Sequence, residues 1–197
     1  MPRVVLATHN AHKVAEFGHI VAATRPDLEV IAYDGPEPVE DGVTFTENAL
    51  IKARAAAAHT GLPALADDSG ICVDALGGAP GAFSAYWAGH RKDAAANVEL
   101  LLDQLSDIAD PRRTAHFTSV IALVTPEGAE HVVEGVWPGR LATTPAGVGG
   151  FGYDPVFIPD GQTGAERTAA ELSAEEKNAQ SHRARAFVAL TPLLRDL

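Results

Sequence analysis

Cysteine is nearly absent: Cys72 is the single one in 197 residues. No internal disulfide can form, so stability must come from a packed core, in keeping with a reducing compartment. The side chain of Cys72 is expected to act as a small buried apolar group. Basic residues are also few. With 15 Lys and Arg against 26 Asp and Glu, the formal net charge is -11, which disfavours DNA or RNA as a partner because that affinity comes from cations neutralising phosphates. A small anionic ligand stays compatible, since a divalent metal and a few converging lysines and arginines reverse the sign locally. No apolar run approaches the roughly 20 residues that cross a bilayer, and Val4-Val5-Leu6-Ala7 follows the first residues without a signal-peptide pattern. A cytoplasmic location with no membrane partner is therefore expected. Repeats and long low-complexity tracts are missing too.

What is present has ordinary globular proportions, 46% hydrophobic and 21% charged, in a chain long enough for one sizeable core. One domain over 1–197 is expected. Residues Arg3–Thr8 form a β-branched run ending in Thr8-His9-Asn10, after which Val14, Phe17 and Val21 recur at helical spacing. Leu28–Tyr33 reads as a second strand and the proline- and acid-rich Asp34–Gly42 as a loop. Thr44-Phe45-Thr46-Glu47 has the form of a capping box opening a helix to about His59, with Gly61-Leu62-Pro63 as its stop.

Ala64–Ala66 then reads as a short buried strand ending in Asp67-Asp68-Ser69-Gly70, followed by the apolar Ile71–Leu76 and a tight turn at Gly77–Gly81. Val98, Leu101, Leu102 and Leu105 mark one face of a third helix. Ala115–Thr125 and Glu130–Trp137 read as strands of an antiparallel hairpin through Pro126-Glu127-Gly128. Ser173-Ala174-Glu175-Glu176 is a second capping box, and Ala186, Phe187, Leu190 and Leu194 stripe the last helix. At 100° per residue Lys177, His182 and Arg183 do not share one face of a straight helix. If they serve one site, the helix must break near Gln180-Ser181, with Ser181 capping a second segment. The fold class is mixed α/β.

Four constellations could carry chemistry. Thr8, Asn10 and Lys13 surround a strand-to-helix turn whose exposed N–H groups, neutral donors and single cation suit a polyphosphate; the glycines of a P-loop are absent. Asp67 and Asp68, with Glu40 and Asp41 upstream, offer the oxygen ligands that Mg²⁺ prefers and a carboxylate to take a proton from water. In Gly149–Pro155 the glycines allow close approach, Phe151 or Tyr153 could stack on a base, and Asp154 could accept from a ring N–H or a sugar hydroxyl. Lys177 with Ser181-His182-Arg183 forms the fourth. Each alone competes with a bland alternative: a helix cap, turn acids, a glycine turn, a solvated helix face.

Their combination and order are specific. Thr8-His9-Asn10-Ala11-His12-Lys13, Phe45-Thr46-Glu47-Asn48-Ala49, Ala66–Gly70, Leu76–Gly81, Gly149–Pro155 and Leu172–Arg185 together resemble the inosine triphosphatase family over essentially the whole chain. That resemblance implies an elongated mixed β-sheet flanked by helices, two lobes around a central cleft, and a homodimer. It also implies hydrolysis of unusual purine nucleoside triphosphates (ITP, dITP, XTP) to the monophosphate and pyrophosphate, with Mg²⁺ as cofactor and water attacking the α-phosphorus. By the same resemblance Thr8, Asn10, Lys13 and Lys52 contact the polyphosphate, Glu40 and Asp68 ligate Mg²⁺, and Asp68 is the general base. Ser69 adjoins the substrate, Phe151, Gly152, Tyr153 and Asp154 take the nucleoside, and Lys177, His182 and Arg183 close over it. Two positions depart from the family pattern: Tyr86 stands where arginine is common, and Ala184 where glycine is common. A sister enzyme with another base preference and a nucleotide-binding module without turnover are the rival readings.

Overall fold

Apolar residues at alternating and helical spacings meet in a six-stranded sheet of order β2-β1-β3-β4-β5-β6. The computed structural model describes residues 1–9 and 11–197; the side chains of Ala11, His12, Ala15, Glu16, His19, Ala23, Thr24 and Asp196 lie outside the description, as does the whole of Asn10. The strands are β1 (Arg3–Leu6), β2 (Glu29–Ala32), β3 (Ala64–Val73), β4 (Thr114–Val124), β5 (Glu130–Leu141) and β6 (Phe157–Pro159). Between and after them come the helices α1 (Ala11–Thr24), α2 (Phe45–Thr60), α3 (Ala94–Gln104), α4 (Ala174–Gln180) and α5 (His182–Leu190).

The chain resolves into two compact units. One comprises Met1–Asp68, Ser119–Gly135 and Ala186–Leu197, the other Ser69–Thr118 and Val136–Arg185. In the first, β1 runs parallel to β2 with Val5 opposite Ile31, and parallel to β3 with Leu6 opposite Leu65. Parallel neighbours need crossovers, which α1 and α2 supply. Val4, Leu6, Phe17, Val21, Leu65, Ile121 and Phe187 close its core, Phe17 meeting Phe187 edge-on at 4.4 Å.

The second unit has its own core around Ile71, Leu101, Phe117, Trp137, Leu141 and Phe157. Its β5 and β6 are antiparallel, with Arg140 opposite Ile158. Trp137 crosses Phe157 at 5.2 Å and Phe117 meets the same ring at 4.6 Å. The buried Arg113 guanidinium donates to the carbonyls of Leu105, Ile108, Leu141 and Ala142, using four of its five N–H donors without a carboxylate. Burial holds its pKa below the ordinary arginine value, with Asp110 opposing the fall.

Local signals place most element ends. Thr44 Oγ1 accepts from Glu47 N at 3.2 Å and the Glu47 carboxylate accepts from Thr44 N at 3.0 Å, so the expected box opens α2; Gly61 closes it at φ 66°. Such a cap stabilises by about 1 kcal/mol. Ser173 and Glu176 form the same device on α4. The helix does break where expected: Ser181 is extended at ψ 160°, and its hydroxyl accepts from Ala184 N at 3.2 Å to start α5. Ala184 thus occupies an ordinary helical position that needs no glycine.

Three expectations change. The two carboxylates do not end a strand: β3 continues through Asp67-Asp68-Ser69-Gly70 to Val73. Gly70 allows this, because a Cβ there would sit 2.3 Å from Ser84 Oγ and 2.6 Å from Gly81 O. Cys72 is only partly buried and uncrosslinked. Leu194, placed on the last helix by its spacing, lies beyond it in a 3-10 turn, Leu193–Asp196.

Candidate active site

In the first unit, Thr8 and Lys13 flank the turn from β1 into α1, Lys52 projects from α2, and Asp67 and Asp68 adjoin on β3. Lys13 Nζ lies 2.7 Å from Asp67 Oδ1. Lys52 Nζ holds Glu40 Oε2 at 2.9 Å and Asp68 Oδ1 at 3.2 Å, and Asn48 Nδ2 reaches Asp68 Oδ2 at 3.4 Å. Glu40 and Asp68, the two expected metal ligands, are therefore drawn to one ammonium. A cavity of about 130 Å³ is lined here by Thr8, Lys13, Glu40, Lys52 and Asp67, among others.

The electrostatics of this cluster are set by burial and crowding. Burial pushes the Asp68 carboxyl above its ordinary value; Lys52 opposes the rise, and the charges of Glu40 and Asp67 add to it. At Lys52 burial disfavours the charge, but Asp68, Glu40 and Asp67 outweigh it and hold the ammonium above its ordinary value. Carboxylates in excess of cations make a place that favours added positive charge. Among the described residues no group of three or more His, Cys, Asp or Glu gathers as a metal centre. Mg²⁺ does not require one: it commonly takes one or two carboxylates and completes its shell with water and phosphate oxygens. The oxygen donors of Glu40 and Asp68 fit that demand.

The second unit carries a cavity of about 310 Å³ whose walls include Phe117, Phe151, Tyr153, Asn97, His182 and Lys92, with Ser69, Gly152, Asp154 and Lys177 also lining it. Buried His182 stacks on Phe117 at 4.9 Å and 16°. Phe151 is 67% exposed, with Lys177 Nζ over one face 4.9 Å from its ring centroid, which leaves the opposite face for a stacking partner. Tyr153 is not available in the same way. It is buried, its hydroxyl donates to Ser84 O at 2.8 Å, and burial raises its pKa.

Asp154 is almost wholly buried. Its Oδ2 accepts from Phe151 N at 2.7 Å and from Lys177 Nζ, so this carboxylate oxygen organises the glycine turn and ties it to α4. Gly150, at φ +71°, is required there, since a Cβ would approach Asp154 Oδ2 to 2.1 Å. Arg183 is buried, with Nη2 3.4 Å from Ser69 Oγ. Each expected residue except one is thus located. Thr8, Lys13, Glu40, Lys52 and Asp68 gather in the first unit, and Ser69, Phe151, Gly152, Tyr153, Asp154, Lys177, His182 and Arg183 in the second. Asn10 lies outside the described residues.

Sequence reasoning missed the framework of this second cavity. Asn97 is buried on α3; its Oδ1 accepts from Ala88 N at 2.6 Å and its Nδ2 donates to Ala85 O at 3.1 Å. Ser84 Oγ accepts from Ile71 N at 2.9 Å. An asparagine interrupting the apolar face that begins at Val98 was the available signal. Phe117 gave none, because a strand phenylalanine that lines a cavity has the same pattern as one in a core. Tyr86, at the family's arginine position, stacks on His90 at 5.2 Å.

A polar, cation-and-carboxylate pocket and an aromatic-walled pocket on a mixed α/β sheet are the parts of a protein that handles a phosphorylated, ring-bearing small molecule. The chain belongs to the Ham1 family, whose model matches residues 4–193, in agreement with the resemblance to inosine triphosphatases. It is 64% identical over 197 residues to the dITP/XTP pyrophosphatase of Leifsonia xyli, covering 100% of this chain and 98% of that one. A HAM1 protein structure from Coxiella burnetii superposes with a TM-score of 0.91 at 42% identity, covering 100% of both chains. The structure of a nucleoside-triphosphatase, dITP/XTP pyrophosphatase, from Mycobacterium abscessus superposes at 0.81 with 51% identity, covering 96% of this chain and 99% of that one. These likenesses span the whole sheet and its helices.

Proposed function

We propose that this chain is a nucleoside-triphosphate pyrophosphatase that hydrolyses ITP, dITP and XTP to the monophosphate and pyrophosphate. The observation that carries the reading is Lys52 Nζ bonded to both Glu40 and Asp68, because it assembles in one place the carboxylates and the cation that the reaction needs. The names of the relatives at 64% and 51% identity point to the same substrates.

Water would attack the α-phosphorus, the bond from that phosphorus to the bridging oxygen would break, and pyrophosphate would leave. Little covalent help is needed; charge stabilisation and positioning dominate. Glu40 and Asp68 would hold Mg²⁺, which supplies Lewis acidity to the phosphate oxygens. Asp68, with a raised carboxyl pKa, orients the water or takes its proton. Thr8, Lys13 and Lys52 face the polyphosphate, and Lys13 neutralises the departing pyrophosphate. Phe151 stacks on the base, and donors from His182 and Arg183 select a 6-oxygen over the 6-amino group of adenine, because a mismatched buried polar group discriminates strongly. The enzyme would act in the cytoplasm; no described helix is long and apolar enough to cross a membrane.

The test is to incubate the purified protein and Mg²⁺ with ITP, XTP, dITP, ATP and GTP while separating pyrophosphate from orthophosphate. Pyrophosphate should appear from the first three at rates well above ATP and GTP. In heavy-oxygen water the label should enter the monophosphate; label in pyrophosphate would place the attack on the β-phosphorus instead. Orthophosphate as the product, or nucleotide binding with no product at all, would defeat the reading.

A further inference from the structure

Resting on the purine nucleotide reading above, we propose that Lys92, an exposed residue lining the base pocket, is a specificity-determining residue that favours xanthine over hypoxanthine by supplying a positive charge there.

Three observations lead there. Lys92 lines the aromatic-walled cavity of the second unit together with Asn97, Phe117 and Phe151. Among the described residues it is the one non-glycine with positive φ, at +54°, and its ammonium makes no ion pair or hydrogen bond with a described residue. The other fixed charges of the wall cancel, since Lys177 bonds to Asp154.

The backbone alone does not call for lysine. The turn closed by Lys92 N donating to Gly89 O, 3.2 Å away, leads into Asp93, which caps α3 through Ala95 N and Ala96 N. Glycine holds the left-handed conformation without a Cβ conflict, and asparagine tolerates it better than lysine does. A strained residue that lines a cavity is where a functional reason is to be sought.

The chemistry of the base supplies one. Xanthine carries a second ring carbonyl, which makes its ring N–H more acidic than that of hypoxanthine, so near neutral pH it holds negative charge that hypoxanthine lacks. A nearby ammonium stabilises that form. The groups that share this field are His90, Arg91 and Asp93 on the same segment, with His182, Asp154 and Lys177 from the other walls. Of these Asp93 caps α3 with neutral N–H donors and keeps its negative charge, while Asp154 and Lys177 pair with each other.

The experiment compares wild type, Lys92→Gly and Lys92→Arg in kcat/KM for XTP and ITP from mildly acidic to mildly alkaline pH. Affinities for xanthosine and inosine monophosphates are measured by calorimetry on the same proteins. The wild-type XTP-to-ITP ratio should rise with pH. In Lys92→Gly that rise should flatten and the ratio at its upper end fall roughly threefold to fivefold, the scale of one partly exposed charge contact; in Lys92→Arg the ratio should persist. The thermal midpoint of Lys92→Gly should equal or exceed that of wild type, separating lost charge from lost fold. An unchanged ratio in Lys92→Gly, or equal losses in the glycine and arginine variants, overturns the proposal. Should wild type hydrolyse neither nucleotide, the pyrophosphatase reading falls. The monophosphate affinities then decide the role of Lys92 by the same ratio.

Discussion

Asp68 bears the heaviest demand placed on any single side chain here. It is half-buried on β3, bonded to Lys52 and close to Asn48, and it is assigned both to Mg²⁺ and to the attacking water. Asp68→Asn keeps its size and its place in the strand but removes the charge and the basic oxygen. Turnover of ITP should fall by about a hundredfold or more, the usual scale for an acid–base group, while the circular dichroism spectrum and thermal midpoint show a folded protein. Near-normal turnover in that folded variant would remove Asp68 from the mechanism. At this scale the sequence was most legible where chemistry is written in residue type. Lys13, Glu40 and Asp68 each had a bland alternative as a solvated charge or turn acid, and Lys52 came only with the family resemblance, yet they do meet in one unit. Tyr153 and Asp154 were harder. Their types suit ligand contact equally well, and it took the Ser84 carbonyl and the Lys177 ammonium to show how they are already engaged.

Among the elements, α4 best illustrates how local rules act. Seven residues make a helix too short to be stable by itself, so its end contacts matter. Glu176 caps its start from Ser173 and also accepts from both terminal nitrogens of Arg167. The Arg167 contact, then the Ser173 N–H, hold its carboxyl at about 2, down from the ordinary 4.5. For a depressed carboxylate the stabilisation is complete above the unfolded value and disappears as the pH falls through the folded one. Wild type should therefore melt higher than Glu176→Gln above pH 4.5, with the gap closing toward pH 2; no gap at any pH would mean that glutamine replaces the carboxylate fully, and a gap independent of pH that the loss does not come from its charge. The same local rules made α2, α4 and the break at Ser181 readable in advance. They did not reveal that β3 runs on through Asp67-Asp68-Ser69-Gly70, because four polar or small residues in a row have no alternating hydrophobic pattern. The strand pairs between β1 and β4, and Gly70 lets Ser84 and Gly81 approach it closely, long-range causes that spacing cannot encode.

For the whole molecule, order of motifs conveyed more than any motif did. Six short stretches, each ambiguous, matched one family in sequence order, and the mixed sheet flanked by helices followed from that match rather than from periodicity. Periodicity alone went as far as mixed α/β. The homodimer expected from the family is a statement at this scale as well: light scattering on the purified protein should return twice the 20.6 kDa of one chain, and a mass of one chain at micromolar concentration would reject it. What sequence order could not supply was the framework of the second unit. The Asn97 amide and the Arg113 guanidinium act on backbone carbonyls, partners that every residue possesses and no motif records.

The collision that any side chain at residue 150 would suffer with Asp154 Oδ2 carries a lesson about how the aromatic pocket can evolve. One face of it is fixed by a missing methyl group: lengthening residue 150 would not narrow the chamber but would dislodge Asp154 and leave Lys177 untethered. Room to alter that chamber lies instead at 151, whose ring is exposed and whose link to the carboxylate runs through its backbone N–H rather than its side chain.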